Sequence, residues 1–145
     1  MKTQPFGKWN ISVGLWVMAA FMVYGFILIY LRDFAPGKEA WIESYNTGAH
    51  FEARLAHVHG NLFSLLNIVF GFLLVKLPIR ESLARGVSGL ALAGLLMPLG
   101  ILGEVYLGLP YYLVLVGGLS ILAATILLGV GVVQMKSEAA LPLKP

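Results

Sequence analysis

The sequence contains no cysteine, and charged residues fill only 12% of its 145 positions. The first absence excludes disulfides, thiolate metal sites and cysteine nucleophiles. The second excludes an ordinary soluble domain, in which about a quarter of the residues are charged. Lys and Arg outnumber Asp and Glu by 10 to 7, a net charge of +3, a sign that would by itself suit nucleic acid. The basic residues lie in short segments between long apolar runs, where they orient a membrane chain and form no nucleic-acid-binding face. A phosphate-binding glycine loop, a His-Glu-x-x-His zinc helix, a Gly-x-Ser-x-Gly elbow and a dinucleotide-binding glycine fingerprint are also missing, and no internal repeat is visible.

What is present is apolar sequence, 59% of the chain. The run Ile11 to Leu31 carries no charge, and at 1.5 Å per residue it covers about 31 Å, against about 30 Å for a bilayer core. Comparable runs extend from Leu55 to Leu77, from Gly86 to Leu107 and from Pro110 to Val133. Backbone N–H and C=O groups in lipid must be satisfied within the segment or by a closed barrel, and these runs are too long and too uniformly apolar for barrel strands. The expected fold is an all-α integral membrane protein, a four-transmembrane-helix bundle making one domain of residues 1–145, with helices near 11–31, 48–78, 84–107 and 110–134. The first run follows Lys2 and Lys8, yet it is longer than a signal-peptide core and is read as a retained helix.

Lys2, Lys8, Lys76, Arg80, Arg85, Lys136 and Lys144 would share one side of the membrane, against Arg32, Lys38 and Arg54 on the other. This asymmetry places both termini in the cytoplasm, with a bacterial inner membrane as the expected location. Gly108, Leu109 and Pro110 make a turn so short that the last two helices must form an antiparallel hairpin, with Pro110 suited to the first turn of the last one. Thr47 is a candidate cap for the second helix, and Trp41 and Tyr45 a candidate interfacial face.

Polar residues concentrate in the second helix. On a 3.6-residue helix His50, Arg54, His57, Asn61 and Ser64 share a stripe, and His59 lies about two thirds of a turn away, nearer Glu52 and Phe63. In the third helix, Gly86, Gly89, Ala93, Gly100 and Glu104 are expected to form a close-approach stripe that turns Glu104 inward, and Pro98 to interrupt the helix and free the carbonyl of Gly94. Counting from the helix ends puts His57, His59 and Glu104 in one layer at the extracytoplasmic edge, approached by Tyr24, Tyr30, Tyr111 and Tyr112.

Ionisable groups in membrane helices are functional candidates. Two histidines two positions apart point in different directions, so one imidazole, His57, is the expected ligand to a metal or haem, with His59 as its hydrogen-bond partner. Arg54 joins them as a cofactor-binding candidate. Glu104 would orient a histidine, act as an acid–base group or pair with Arg54. Asn61, one turn below His57, and Tyr24 would reach a substrate. Ser64 and Asn67 are expected to bond between helices, Tyr30 and Tyr106 to sit in the aromatic belt, and the glycines and alanines of the last helix to serve packing.

The stretch Arg54-Leu55-Ala56-His57-Val58-His59-Gly60-Asn61 resembles two families of small four-helix membrane enzymes. One is the styrene-oxide-isomerase type. That resemblance implies haem b on His57, whose ferric iron acts as a Lewis acid on an epoxide, with Asn61 at the substrate, although the histidine-to-asparagine spacing differs and His59 has no counterpart. The other is the glutathione-handling membrane enzymes of eicosanoid and drug metabolism, matched at Arg54, Ala56-His57 and Asn61 but not at the glutamate that usually follows the asparagine. Both families are trimers, which implies a homo-oligomer with a site between subunits.

The expected function is therefore a small membrane haem-binding protein, an epoxide isomerase or a related Lewis-acid or redox enzyme acting on a small hydrophobic substrate. Two other classes stand beside it: a non-enzymatic subunit or assembly factor of a membrane complex, and a proton- or ion-conducting protein using His57, His59 and Glu104.

Overall fold

The computed structural model describes residues 5–135. Six helices follow one another: α1 (Pro5–Asp33), α2 (Lys38–Glu43), α3 (Gly48–Lys76), α4 (Glu81–Gly94), α5 (Leu96–Leu107) and α6 (Tyr112–Val133). Among the described residues four segments are long and apolar enough to cross a membrane: α1, α3, α4 with α5 as one span, and α6. The chain is a four-helix membrane bundle, as its apolar runs require.

The boundaries differ from expectation where polar residues are satisfied internally. Helix α1 begins before Asn10, where the apolar run stops, because Asn10 is itself fully buried. Over its 29 residues α1 is about 43 Å long, more than the bilayer core needs, so it tilts or projects. The third span breaks at Leu95, as Pro98 predicts, and Leu95 N–H turns back to the Leu92 carbonyl at 3.1 Å. The hairpin before α6 is closed by Gly108 in the left-handed region (φ 64°), with Gly108 N–H on the Glu104 carbonyl and Leu109 N–H on the Gly103 carbonyl. Pro110 lies before α6 and not in its first turn, because residues after the left-handed cap are used to reverse the chain. Thr47 takes the N-cap position of α3 in extended conformation, but its hydroxyl makes no cap bond.

Helices α1 and α3 pack antiparallel along a seam in which Gly7, Gly14, Phe21 and Leu28 recur every seven residues and are buried. A methyl group at Gly7 would overlap the carbonyl oxygen of Gly71, and one at Gly14 would come within 2.8 Å of that of Ser64. The two backbones therefore touch, the arrangement small residues permit in membranes. The apolar core lies between α3, α4 and α6, around Phe63, Phe70, Leu74, Val87, Ile121 and Leu128. Helix α6 packs against α4 and α5, and α1 against α3 and α4, so α1 and α6 flank the bundle and turn residues such as Trp16, Phe26 and Leu119 outward to the lipid.

The small-residue stripe expected on the third span does not act as one face. Gly89 meets nothing within 4 Å, whereas Gly100 packs against Leu113 and Val114. The buried face of α4 runs through Ala84, Val87, Ser88, Ala91 and Gly94, and the break at Leu95 separates its register from that of α5.

Three spans are tied together by one buried polar network. The Asn10 amide donates to Asn67 Oδ1 (2.9 Å) and to the Ser88 carbonyl (3.1 Å), and Ser88 Oγ donates to Asn10 Oδ1. The Asn67 amide donates to the carbonyls of Ala91 (2.8 Å) and Phe63 (3.0 Å). Asn67 thus bonds between helices as expected. Ser64 does not: its hydroxyl returns to the Gly60 carbonyl of its own helix at 2.6 Å. Replacing Asn67 by Leu leaves the Asn10 amide and the Ala91 carbonyl short of partners in an apolar interior and is expected to destabilise the protein by about 1–3 kcal/mol. Thr125→Ala, which removes only a bond within α6, should cost far less. Thermal unfolding of both variants in detergent measures the difference.

Candidate functional site

The strongest gathering of polar side chains lies toward the α2 end of the bundle, where α1, α3 and α5 meet. Their antiparallel register brings Gly25 of α1 opposite His57 of α3. A Cβ at Gly25 would stand 2.8 Å from His57 Cε1 and 3.4 Å from Nε2, so the imidazole fills a notch that only glycine leaves open. One residue earlier, Tyr24 places its ring 6.3 Å from that imidazole and edge-on to Phe21. Its hydroxyl meets that of Tyr106 at 2.9 Å. One hydroxyl hydrogen makes that bond, and the other remains free to donate elsewhere.

The hydrogen bonds also set which ring nitrogen of each histidine carries the proton. A carbonyl can only accept. His50 Nδ1 therefore donates to the Trp41 carbonyl (2.7 Å) and His59 Nδ1 to the Leu55 carbonyl (2.9 Å), leaving Nε2 as the lone-pair nitrogen of each neutral ring. His57 is opposite. The Asn61 NH2 group donates to the His57 carbonyl (2.9 Å) and stands 3.4 Å from Nδ1. There Nδ1 is the acceptor, and the proton of the neutral ring sits on Nε2.

The structure brings together Tyr24, His57 and Asn61 from the expected site and adds Tyr106, which sequence reasoning assigned to the aromatic belt. The remaining candidates lie elsewhere. His59 turns to Phe63, ring centroids 5.8 Å apart, on the side of α3 expected for it. Arg54 lies 3.7 Å above the Tyr45 ring and donates to the Tyr45 carbonyl at 3.2 Å, which fastens α3 to the preceding loop. Glu104 is exposed on the outside of the chain, contrary to its expected inward direction, and makes no ion pair with Arg54. The cause is the register of α5: Gly103, not Glu104, packs against Leu109, and the next position is turned by about 100°. Tyr30 stacks with Phe34, and Tyr111 lies tilted against Tyr112, as exposed pairs apart from the cluster. Among the described residues no three His, Cys, Asp or Glu side chains converge to chelate a bare metal ion.

The helical spacing places His50 only on a polar stripe. It is buried, stacked on Trp41 at 4.6 Å and flanked edge-on by Tyr45 at 5.2 Å, so it anchors the α2 segment to α3. The available signal was the aromatic pair Trp41 and Tyr45, spaced to close around one residue of the next helix.

No family model matches the chain, and neither a curated protein nor a solved structure matches it. The class defined by the fold is therefore a four-helix membrane bundle carrying a tyrosine–histidine–asparagine cluster at one end.

The tautomers are directly observable. In 15N-labelled protein near neutral pH, the neutral ring of His57 is expected to carry its proton on Nε2, and those of His50 and His59 on Nδ1. Gly25→Val should move the His57 ring signals and leave those of His50 in place. Three identical tautomers would overturn the assignment.

Proposed function

We propose that the protein is a membrane haem-binding protein in which the Tyr24–His57–Asn61–Tyr106 cluster forms the cofactor and substrate site. The observation that supports this reading is the convergence of Tyr24 and Asn61 on the half-buried His57 imidazole, with Tyr106 joined to Tyr24, so that side chains from α1, α3 and α5 meet. The donor set suits haem b better than a bare ion, since the macrocycle supplies four nitrogens and asks the protein for one. Coordination through His57 Nε2 requires the ring proton on Nδ1. Rotation of the Asn61 amide, with its bond to the His57 carbonyl given up, would then present its oxygen to that N–H, the usual way a ligating histidine is held. Asn61 is on this reading a positioning residue. When bound, ferric haem supplies a Lewis-acid iron. The free hydroxyl of the Tyr24–Tyr106 pair would donate a hydrogen bond to the oxygen of a small hydrophobic substrate, an epoxide being the class implied by the resemblance at Arg54 to Asn61. As a bacterial inner-membrane protein it would have both termini in the cytoplasm, with a homo-oligomer, a trimer in the enzymes it resembles, completing the site.

A second reading, a non-enzymatic subunit of a membrane complex, is favoured by Glu104, an exposed carboxylate near the end of a membrane span. A partner helix with a basic residue would neutralise it. The conducting reading has less geometric support, since His57, His59 and Glu104 share no hydrogen bond or ion pair.

Visible spectra of the protein purified from haem-replete cells, oxidised and dithionite-reduced, test the first reading. A Soret band that shifts on reduction is expected in the wild type. It should be lost in His57→Ala, retained in His59→Ala, and shifted or weakened in Asn61→Leu. A colourless wild type overturns haem binding. Co-purification of a partner that is lost on Glu104→Gln would then support the subunit reading.

A further inference from the structure

A separate cleft of about 340 Å³ opens where α1 leaves the bilayer and the chain folds back into α2. Its walls are largely apolar, from Leu31, Ala35, Pro36 and Ala40, with Lys38, Trp41 and Ser44 also in the lining. Trp41 is held rigidly. Its ring stacks on His50, and its carbonyl accepts from His50 Nδ1 and from Ser44 Oγ at 2.9 Å. Its indole Nε1 is nonetheless the one buried side-chain nitrogen or oxygen among the described residues that has no hydrogen-bond partner. A buried donor left unpaired costs about 1–3 kcal/mol, so a fixed donor in this state calls for an acceptor. The Lys38 ammonium is similarly under-used, with a single long contact of 3.4 Å to the Asp33 carbonyl.

Lys38 is the one charged residue in the lining of the cleft. No carboxylate lines it. Asp33 is taken up by Arg32, whose Nε–H and Nη2–H donate to its two oxygens at 2.8 Å each, and Glu39 and Glu43 are exposed and do not line the cleft. The position is interfacial, at the end of a membrane span, the level at which phosphates lie in a bilayer and where Trp and Lys concentrate. We propose that this cleft seats the phosphate of an anionic phospholipid, held by Lys38 Nζ and Trp41 Nε1–H, with the lipid's apolar part against Leu31 and Ala35. A zwitterionic headgroup fits less well, because its cationic end would meet Lys38 and find no carboxylate in the lining. This site is independent of the haem reading and of the His57 cluster.

The test uses the full chain, delipidated in mild detergent and followed by native mass spectrometry with phosphatidylglycerol, phosphatidylcholine or inorganic phosphate added. The wild type should retain phosphatidylglycerol in clear preference to phosphatidylcholine. Trp41→Phe keeps the ring on His50 and removes only the N–H, and Lys38→Gln removes only the charge. Each is expected to weaken phosphatidylglycerol binding by about threefold to tenfold while leaving the elution volume of the protein unchanged. Equal retention of the two lipids, or a preference that survives both substitutions, overturns the proposal. Binding of inorganic phosphate that displaces the lipid would assign the cleft to the free anion instead. If Trp41→Phe fails to fold, Lys38→Gln alone decides.

Discussion

Asn67 is the residue through which three of the four spans hold one another. Its side chain reaches Asn10 on α1, the Ala91 carbonyl on α4 and the Phe63 carbonyl on its own helix, at zero solvent exposure. Apolar contacts between membrane helices slide easily, because lipid tails are as good a partner as leucine. A buried amide network has no such freedom, since any shift in register leaves a donor or acceptor unpaired. The Asn10–Asn67–Ser88 network therefore fixes both rotation and height of α1 against α3.

The site depends on that register. With Asn10 opposite Asn67, the seam continues through Gly14 against Ser64 and Phe21 against Gly60, and ends with Gly25 against His57. The same backbone contact that binds the helices thus leaves the notch in which the imidazole sits. On the other side, the break at Leu95 and the Gly108 turn give α5 its own direction. That direction carries Tyr106 to Tyr24 and leaves Glu104 outside. Two positions along α5 separate a carboxylate at the surface, on Glu104, from a hydroxyl in the cluster, on Tyr106.

Two ends of one short region serve different purposes. The Tyr24–His57–Asn61–Tyr106 cluster is made of side chains whose donors and acceptors largely satisfy each other, with one tyrosine hydroxyl hydrogen and His57 Nε2–H left over. The cleft beside α2 holds a donor with no partner and a lysine with little to do. His50 links them structurally, since it stacks on Trp41 from the helix that also carries His57 and Asn61. Arg54 over Tyr45 fastens the same joint.

The amino-acid sequence alone determined the class of structure. Long uncharged runs leave the backbone no solution in lipid but helices, Pro98 removes a donor wherever its helix goes, and Gly108 admits the conformation a tight hairpin needs. It also marked Tyr24, His57 and Asn61, because polar groups in apolar helices are few, and placed His59 beside Phe63 from helical geometry. Tertiary structure alone decided direction. Periodicity specifies a face of a helix but not which neighbour that face meets, and a break in the middle of a span discards the phase. Hence Glu104, expected inward, lies outward, Tyr106, expected in the aromatic belt, joins the cluster, and Asn10 and Ser88, polar residues in separate spans, show their role only when folding brings them to Asn67. Donor–acceptor polarity at each histidine belongs to the same category, since it is set by whichever group the fold places beside each ring nitrogen.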